Sequence, residues 1–273
     1  MTGILTANAD DPAFDAVMAR LMEIAQTEAR VSETDGSNLP QVHAYNCLKD
    51  IFKNSLLASQ GNKVERFLPQ CLELAANGLR SEVWAIRNCG LLLLRSLSNC
   101  LFGSNEGKST IEAGWDGKAN RIAYHRYPSL PGVLVNLLKA GQQMMEATTM
   151  ATSISTSAGA EAVFPALDIV RRAGPPEVMR YELQGHIATY LASPVWHVRE
   201  MAARTLCSCL LDDQWLISID GLLIQALADD SPNAKNRVHG VLLALKFVFE
   251  RLEEIAPERI TSESLDATLT ARC

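Results

Sequence analysis

The chain has 273 residues, 48% of them hydrophobic and only 6% aromatic, with a net charge of −6 and a pI near 5.4. That is a globular composition, and it excludes a general affinity for polyanions, although a local basic patch remains compatible with it. Seven cysteines (47, 71, 89, 100, 207, 209 and 273) show no CxxC and no zinc-type spacing with histidine, so they are expected as free thiols in a reducing compartment.

The hydrophobic periodicity predicts helices nearly throughout. Pro12–Arg30 carries Phe14, Val17, Met18, Leu21 and Ile24 on one face. Ser32–Asn38 is polar and reads as a loop, and Leu39–Leu57 is a second helix. Val64–Ala76 is a third, with Pro69 either in its first turn or kinking it, and Asn77-Gly78 as a C-cap. Ser81–Leu101 is the longest apolar helix. Gly103–Tyr127 is rich in Gly, Asn, Lys and Ser, and a loop of that length in a helical array often carries function. Leu130–Leu138 resumes a helix, and residues 140–159 read as a flexible linker. Helices are expected over 160–172, 176–192, 194–211, 214–228 and 232–254, followed by a frayed tail over 257–273. The whole divides into an N-terminal helix and loop (1–38), helical repeats with the long loop (39–139), the linker, a second set of repeats (160–256) and the tail. The N-terminus shows no secretory signal and no stretch reaches membrane-spanning length, so a cytoplasmic protein is expected.

One pattern is written three times: Ser81-Glu82-Val83-Trp84-Ala85-Ile86-Arg87, Ser193-Pro194-Val195-Trp196-His197-Val198-Arg199 and Ser231-Pro232-Asn233-Ala234-Lys235-Asn236-Arg237. Three residues after each arginine stands a small residue, Gly90, Ala202 or Gly240. The last two arginines lie 38 residues apart (237 minus 199). A helical repeat of about 40 residues is the signature of an α-solenoid. The predicted fold is therefore all-α, an armadillo/HEAT-type right-handed solenoid of stacked helix pairs. The serines are expected as N-caps and the prolines at first helical positions. The arginines should satisfy carbonyls or a carboxylate of the adjacent repeat, and the small residues should sit where a neighbouring helix approaches closely.

Catalytic motifs are missing. Gly103 to Ser109 has three residues between its glycines where a phosphate-binding loop needs four, and a helix precedes it where a strand is required. There is no GxSxG, HExxH or GxGxxG, and the five histidines are scattered, so no acid–base or nucleophile–base set can be assembled. Neither a cofactor, a metal nor a small-molecule substrate is expected. Two basic clusters remain: Lys118, Arg121, His125 and Arg126 with Tyr124 and Tyr127 interleaved, and Lys235 with Asn236 and Arg237 beside His239. Arginine, lysine and tyrosine together grip phosphate and stack on bases, and ordinary surface charge is the alternative reading of both clusters.

The segment Val83-Trp84-Ala85-Ile86-Arg87-Asn88 with the following leucines and Phe102-Gly103 resembles the central domain of the THADA family. So does Tyr124-His125-Arg126-Tyr127-Pro128-Ser129-Leu130. Ser193–Glu200, with Trp196 and Arg199, and Asn236–Leu243, with His239 and Gly240, resemble its next repeats. The resemblance implies a very long solenoid, of which this chain would be a fragment. It also implies a function: the fungal members are the non-catalytic partner of an FtsJ-type methyltransferase that modifies a tRNA ribose 2′-hydroxyl in the anticodon loop. No catalytic residue is implied on any position. The rival expectations are a general protein-interaction solenoid without RNA binding, and an enzyme in its own right.

Overall fold

The computed structural model describes residues 12–28, 38–53, 64–103, 114–150, 162–212 and 214–260. Among these residues every regular element is helical, and the architecture is all-α, of the α-solenoid class. Ten α-helices follow in order: α1 (Pro12–Gln26), α2 (Pro40–Lys53), α3 (Leu68–Leu79), α4 (Trp84–Phe102), α5 (Leu130–Met150), α6 (Phe164–Ala173), α7 (Arg180–Thr189), α8 (Trp196–Leu210), α9 (Trp215–Leu227) and α10 (Ala234–Ile255). Short 3-10 turns precede α3, α5 and α7, and others follow α7 and α10. No helix among the described residues is long and apolar enough to cross a membrane.

The chain forms two compact units. Unit 1 holds the described residues of Met1–Glu106, Ala123–Leu137 and Thr148–Pro165; unit 2 holds those of Gly107–Ile122, Leu138–Ala147 and Ala166–Cys273. In unit 1, α1 packs on α2, and α4 packs on both α2 and α3. The core is Phe14, Met18, Tyr45, Leu48, Leu68, Leu72, Leu93 and Leu97, all buried. Tyr45 turns its hydroxyl onto the Leu74 carbonyl at 2.8 Å, which satisfies the one polar atom that its buried ring brings into the core.

The expected C-cap at Asn77-Gly78 is corrected. The helix α3 runs on to Leu79, and Gly78 lies inside it. A Cβ on Gly78 would stand 2.7 Å from the Tyr45 hydroxyl and 3.2 Å from the Gly90 Cα, and one on Gly90 would stand 3.0 Å from the Ala75 carbonyl. The two glycines are where α3 and α4 cross backbone to backbone. A glycine near a helix end reads as a cap in sequence, yet here it is a packing residue. Pro69 sits in the first turn of α3, so the kink alternative does not arise.

In unit 2, α8 packs on α7 and α10, and α9 packs on α10. Buried hydroxyls tie successive elements together: Thr205 donates to the Leu167 carbonyl at 3.1 Å and Ser208 to the Arg171 carbonyl at 3.0 Å. Gly240 of α10 meets the turn after α7, where an added Cβ would collide with the Leu191 carbonyl oxygen. The start of the expected linker is also corrected, because residues 140–150 continue α5. Ala, Gln, Met and Glu all favour helix, and the single Gly141 costs too little to stop it. Residues 151–161 and 261–273, which hold the rest of that linker and most of the expected tail, lie outside the described residues, as do 104–113 of the long loop.

Candidate nucleic-acid and partner interface

The described part of the long loop is anchored. In unit 2, Trp115 is only 6% exposed. Its backbone N–H donates to the Arg171 carbonyl at 2.9 Å, and its indole N–H donates to the Ala119 carbonyl at 3.0 Å. The Arg121 N–H donates to the Ala173 carbonyl and the Asn120 amide to the Pro175 carbonyl. Gly174 closes α6 with φ +83°, and a Cβ there would fall 2.5 Å from the Trp115 ring. The indole is seated where only glycine leaves room, on a left-handed helix end that glycine also favours. Arg251 of α10 reaches the same loop, donating to the carbonyls of Trp115 (3.0 Å) and Gly114 (3.1 Å).

This docking forms a cleft of about 350 Å³ in unit 2, lined by Trp115, Arg171, Arg204, Phe247, Glu250 and Arg251 among others. The Arg204 guanidinium lies 4.2 Å over the Phe247 ring and pairs with Glu200. Arg171 pairs with Asp168 at 2.9 Å. Guanidiniums from α6, α8 and α10 lie there beside an indole and a phenyl ring, together with the carboxylates of Glu250 and Glu254, and Arg251 pairs with Glu254 at 2.7 Å. Sequence reasoning does not single out Arg171, Arg204 or Arg251. The only signal is that α6, α8 and α10 each carry an arginine in their C-terminal half.

The first predicted cluster has members in both units. Lys118 is exposed on the anchored loop, its N–H capped by Asp116 at 3.1 Å, and it belongs to unit 2 with Arg121. The Arg121 guanidinium is held below the usual arginine range by burial first and by neighbouring Arg172 second. His125 and Arg126 belong to unit 1, on the 3-10 turn Tyr124–Arg126. Arg126 pairs with Glu65 at 2.6 Å. Tyr127 is 6% exposed, and burial ahead of the Glu65 charge pushes its hydroxyl up to about 12. The expected base-stacking role is therefore corrected for Tyr127, which is a core side chain. In the second cluster Lys235 is exposed, Asn236 is half-buried, and Arg237 donates to Asp229 at 2.6 Å.

The repeated motif has a different local geometry from the expected one. Helices α4 and α8 begin at Trp84 and Trp196, and their N-cap residues are Val83 and Val195, in extended backbone. The serines sit two residues earlier and accept the valine N–H groups at 3.2 Å. Ser193 is in extended backbone before Pro194, and the helix opens only after Val195. The arginine then folds back on its own loop: Arg87 donates to the carbonyls of Ser81 (2.8 Å) and Glu82 (2.9 Å), Arg199 to that of Ser193, and Arg237 to Asp229. Among the described residues Arg199 alone of the three also reaches the next repeat, through Nε to His239 Nδ1 at 3.1 Å. The Trp196 ring lies 5.2 Å from the His239 ring. Trp84 is 68% exposed. Among the described residues no group of three His, Cys, Asp or Glu is placed to hold a metal.

A family model described as the C-terminal TPR repeats of Trm732 matches residues 87–248, and one described as THADA/TRM732, DUF2428 matches residues 1–85. The chain is 28% identical over 260 residues to the tRNA (32-2′-O)-methyltransferase regulator trm732 of Schizosaccharomyces pombe, covering 91% of this chain and 16% of that protein. It is 27% identical over 251 residues to the tRNA (32-2′-O)-methyltransferase regulator THADA of Mus musculus, covering 84% of this chain and 12% of that protein. For THADA of Chlorocebus aethiops the identity is 29% over 232 residues, with 76% and 10% covered. No solved structure matches.

Proposed function

We propose a positioning role for this chain, which belongs to the THADA/TRM732 family. It acts as a cytoplasmic, non-catalytic scaffold that holds a tRNA against a partner methyltransferase of the FtsJ type, for ribose 2′-O-methylation at position 32 of the anticodon loop. The observation that carries this reading is the match to curated relatives named as regulators of that methylation along 91% of the chain. The chain spans only 16% of that relative, so it contributes one segment of a larger surface. The partner supplies the methyl donor site and the base. The chain's part is to fix two bodies in a reactive geometry, which converts an encounter into an effectively intramolecular step.

The cleft of Arg171, Arg204 and Arg251 is the surface we assign to the RNA backbone, because three guanidiniums converge in it beside Trp115 and Phe247, and Lys118 stands exposed on the same anchored loop as Trp115. The test is co-expression with an FtsJ-type methyltransferase, purification of the complex, and methylation of tRNA by it. Lys118→Glu with Arg204→Glu is expected to weaken tRNA binding about tenfold while the protein complex persists, a loss typical of removing a few phosphate contacts. Unchanged tRNA affinity in an intact complex would remove this cleft from the account, and failure of the folded chain to form any complex would remove the methyltransferase interface from this segment.

A further inference from the structure

Helices α4 and α8 start on the same motif, offset by 112 residues (196 minus 84), so their faces can be compared position by position. In α8 the face made by Trp196, Arg199, Ala203, Arg204 and Cys207 packs against α10, with Arg199, Ala203 and Cys207 buried, Arg204 exposed at its rim and Trp196 44% exposed. Trp196 meets the His239 ring at 5.2 Å, Arg199 Nε donates to His239 Nδ1, Arg204 lies over Phe247, and the Cys207 thiol donates to the Phe247 carbonyl at 3.4 Å. Ala203, at the centre of that face, is fully buried.

The corresponding positions of α4 are Trp84, Arg87, Leu91, Leu92 and Arg95. There Trp84 is 68%, Leu91 55% and Leu92 37% exposed. Leu91 stands where α8 has its buried Ala203. Arg87 closes its own loop through Nη1, as Arg199 does, but its Nε has no acceptor among the described residues. That is the same atom which in α8 binds His239. The face carries Arg87 and Arg95, and α4 contains no acidic residue along its whole length. The apolar strip, the vacant donor and the one-signed charge coincide on one side of one helix.

We infer that this face of α4 is a docking site for an amphipathic helix of a partner protein, seated as α10 is seated on α8. The helix carries a hydrogen-bond acceptor, an imidazole or a carboxylate, against Arg87 Nε, and an apolar side chain about two turns further on against Leu91 and Leu92. Carboxylates on that helix complement Arg87 and Arg95. The inference stands on the geometry of α4 and does not rest on the methyltransferase reading.

The probe is a fluorescein-labelled synthetic peptide of the α10 sequence, residues 234–255, titrated into the whole chain and followed by anisotropy. Saturable binding is expected. Leu91→Asp or Trp84→Ser in the chain should each lower the affinity at least about tenfold, and His239→Ala in the peptide should do the same, as expected for the centre of an interface. Both chain positions are solvent-exposed, so the variants keep their fold, which thermal melting checks. Equal binding to the Leu91→Asp chain would place the peptide elsewhere and overturn the inference. No binding at all would mean that the face is closed by another segment of this chain or takes no helix, and would overturn it too. Self-association of the free chain that Leu91→Asp abolishes would assign the face to a second copy instead.

Discussion

At the scale of single residues the fold depends on a few side chains that satisfy backbone. Arg199 is buried among the Ser193 carbonyl, His239 and the Trp196 ring. Arg199→Ala is expected to cost about 1–3 kcal/mol, the range for leaving buried acceptors unpaired, read from urea denaturation. Gly240→Ala should cost about 1–3 kcal/mol by overpacking, because the new methyl meets the Leu191 backbone, which cannot rotate away. Burial pushes the thiols of Cys71, Cys207 and Cys209 up to about 12. Native chain treated with iodoacetamide at pH 8 should therefore stay unmodified at these three, as read by peptide mass spectrometry, since the thiolate is the reactive form. His186 is held below its ordinary value by burial and then by Lys139, with Glu182 opposing. The unfolded chain then takes up its proton first, so stability should fall as the pH drops through about 6.5, and His186→Gln should flatten that slope between pH 7 and 5.5.

At the scale of elements, helix type and order are legible in the sequence because the apolar periodicity is long and unbroken. The helix starts are not. Serine followed by proline is a common N-terminal signal, yet here the serine closes a turn two residues early and valine takes the N-cap position. In α4 and α8 the arginine six residues on donates to the carbonyl of that serine, a bond that is invisible to local propensity. Gly78 reads wrongly as a cap for a similar reason, since its partner Gly90 belongs to another helix. The loop is legible as unusual but not as anchored, because Trp115 meets α6 and α10 across long sequence separations. Trp115→Ala should remove this anchor and destabilise unit 2 by about 3–5 kcal/mol, the usual range for truncating a buried large aromatic, as measured by chemical denaturation.

At the scale of the whole molecule the repeated motif makes the α-solenoid legible in the sequence. The candidate site is only partly legible. Basic clusters can be read as runs, but charge assembled from Arg171, Arg204 and Arg251 on separate helices has no linear signature. Two of the linear candidates, Arg126 and Arg237, pair with Glu65 and Asp229, as Arg171, Arg204 and Arg251 pair with Asp168, Glu200 and Glu254. If the assembled cleft meets the RNA backbone, the salt dependence of tRNA binding should be shallower in the Lys118→Glu, Arg204→Glu protein, by about one unit of log–log slope for each phosphate no longer neutralised. Arg126→Glu should leave that slope unchanged.

The arginine that folds back on its own loop also bears on how quickly the chain finds its structure. The carbonyls that Arg87 holds lie five and six residues away. Closing so short a segment requires little ordering of the chain, so the bond can form before any helix stacks on another. Each connection is then set in its final conformation while the array is still loose, and the helix after it starts at a fixed angle. Arg87→Ala should accordingly slow refolding more than it hastens unfolding, the mark of an interaction already present in the transition state.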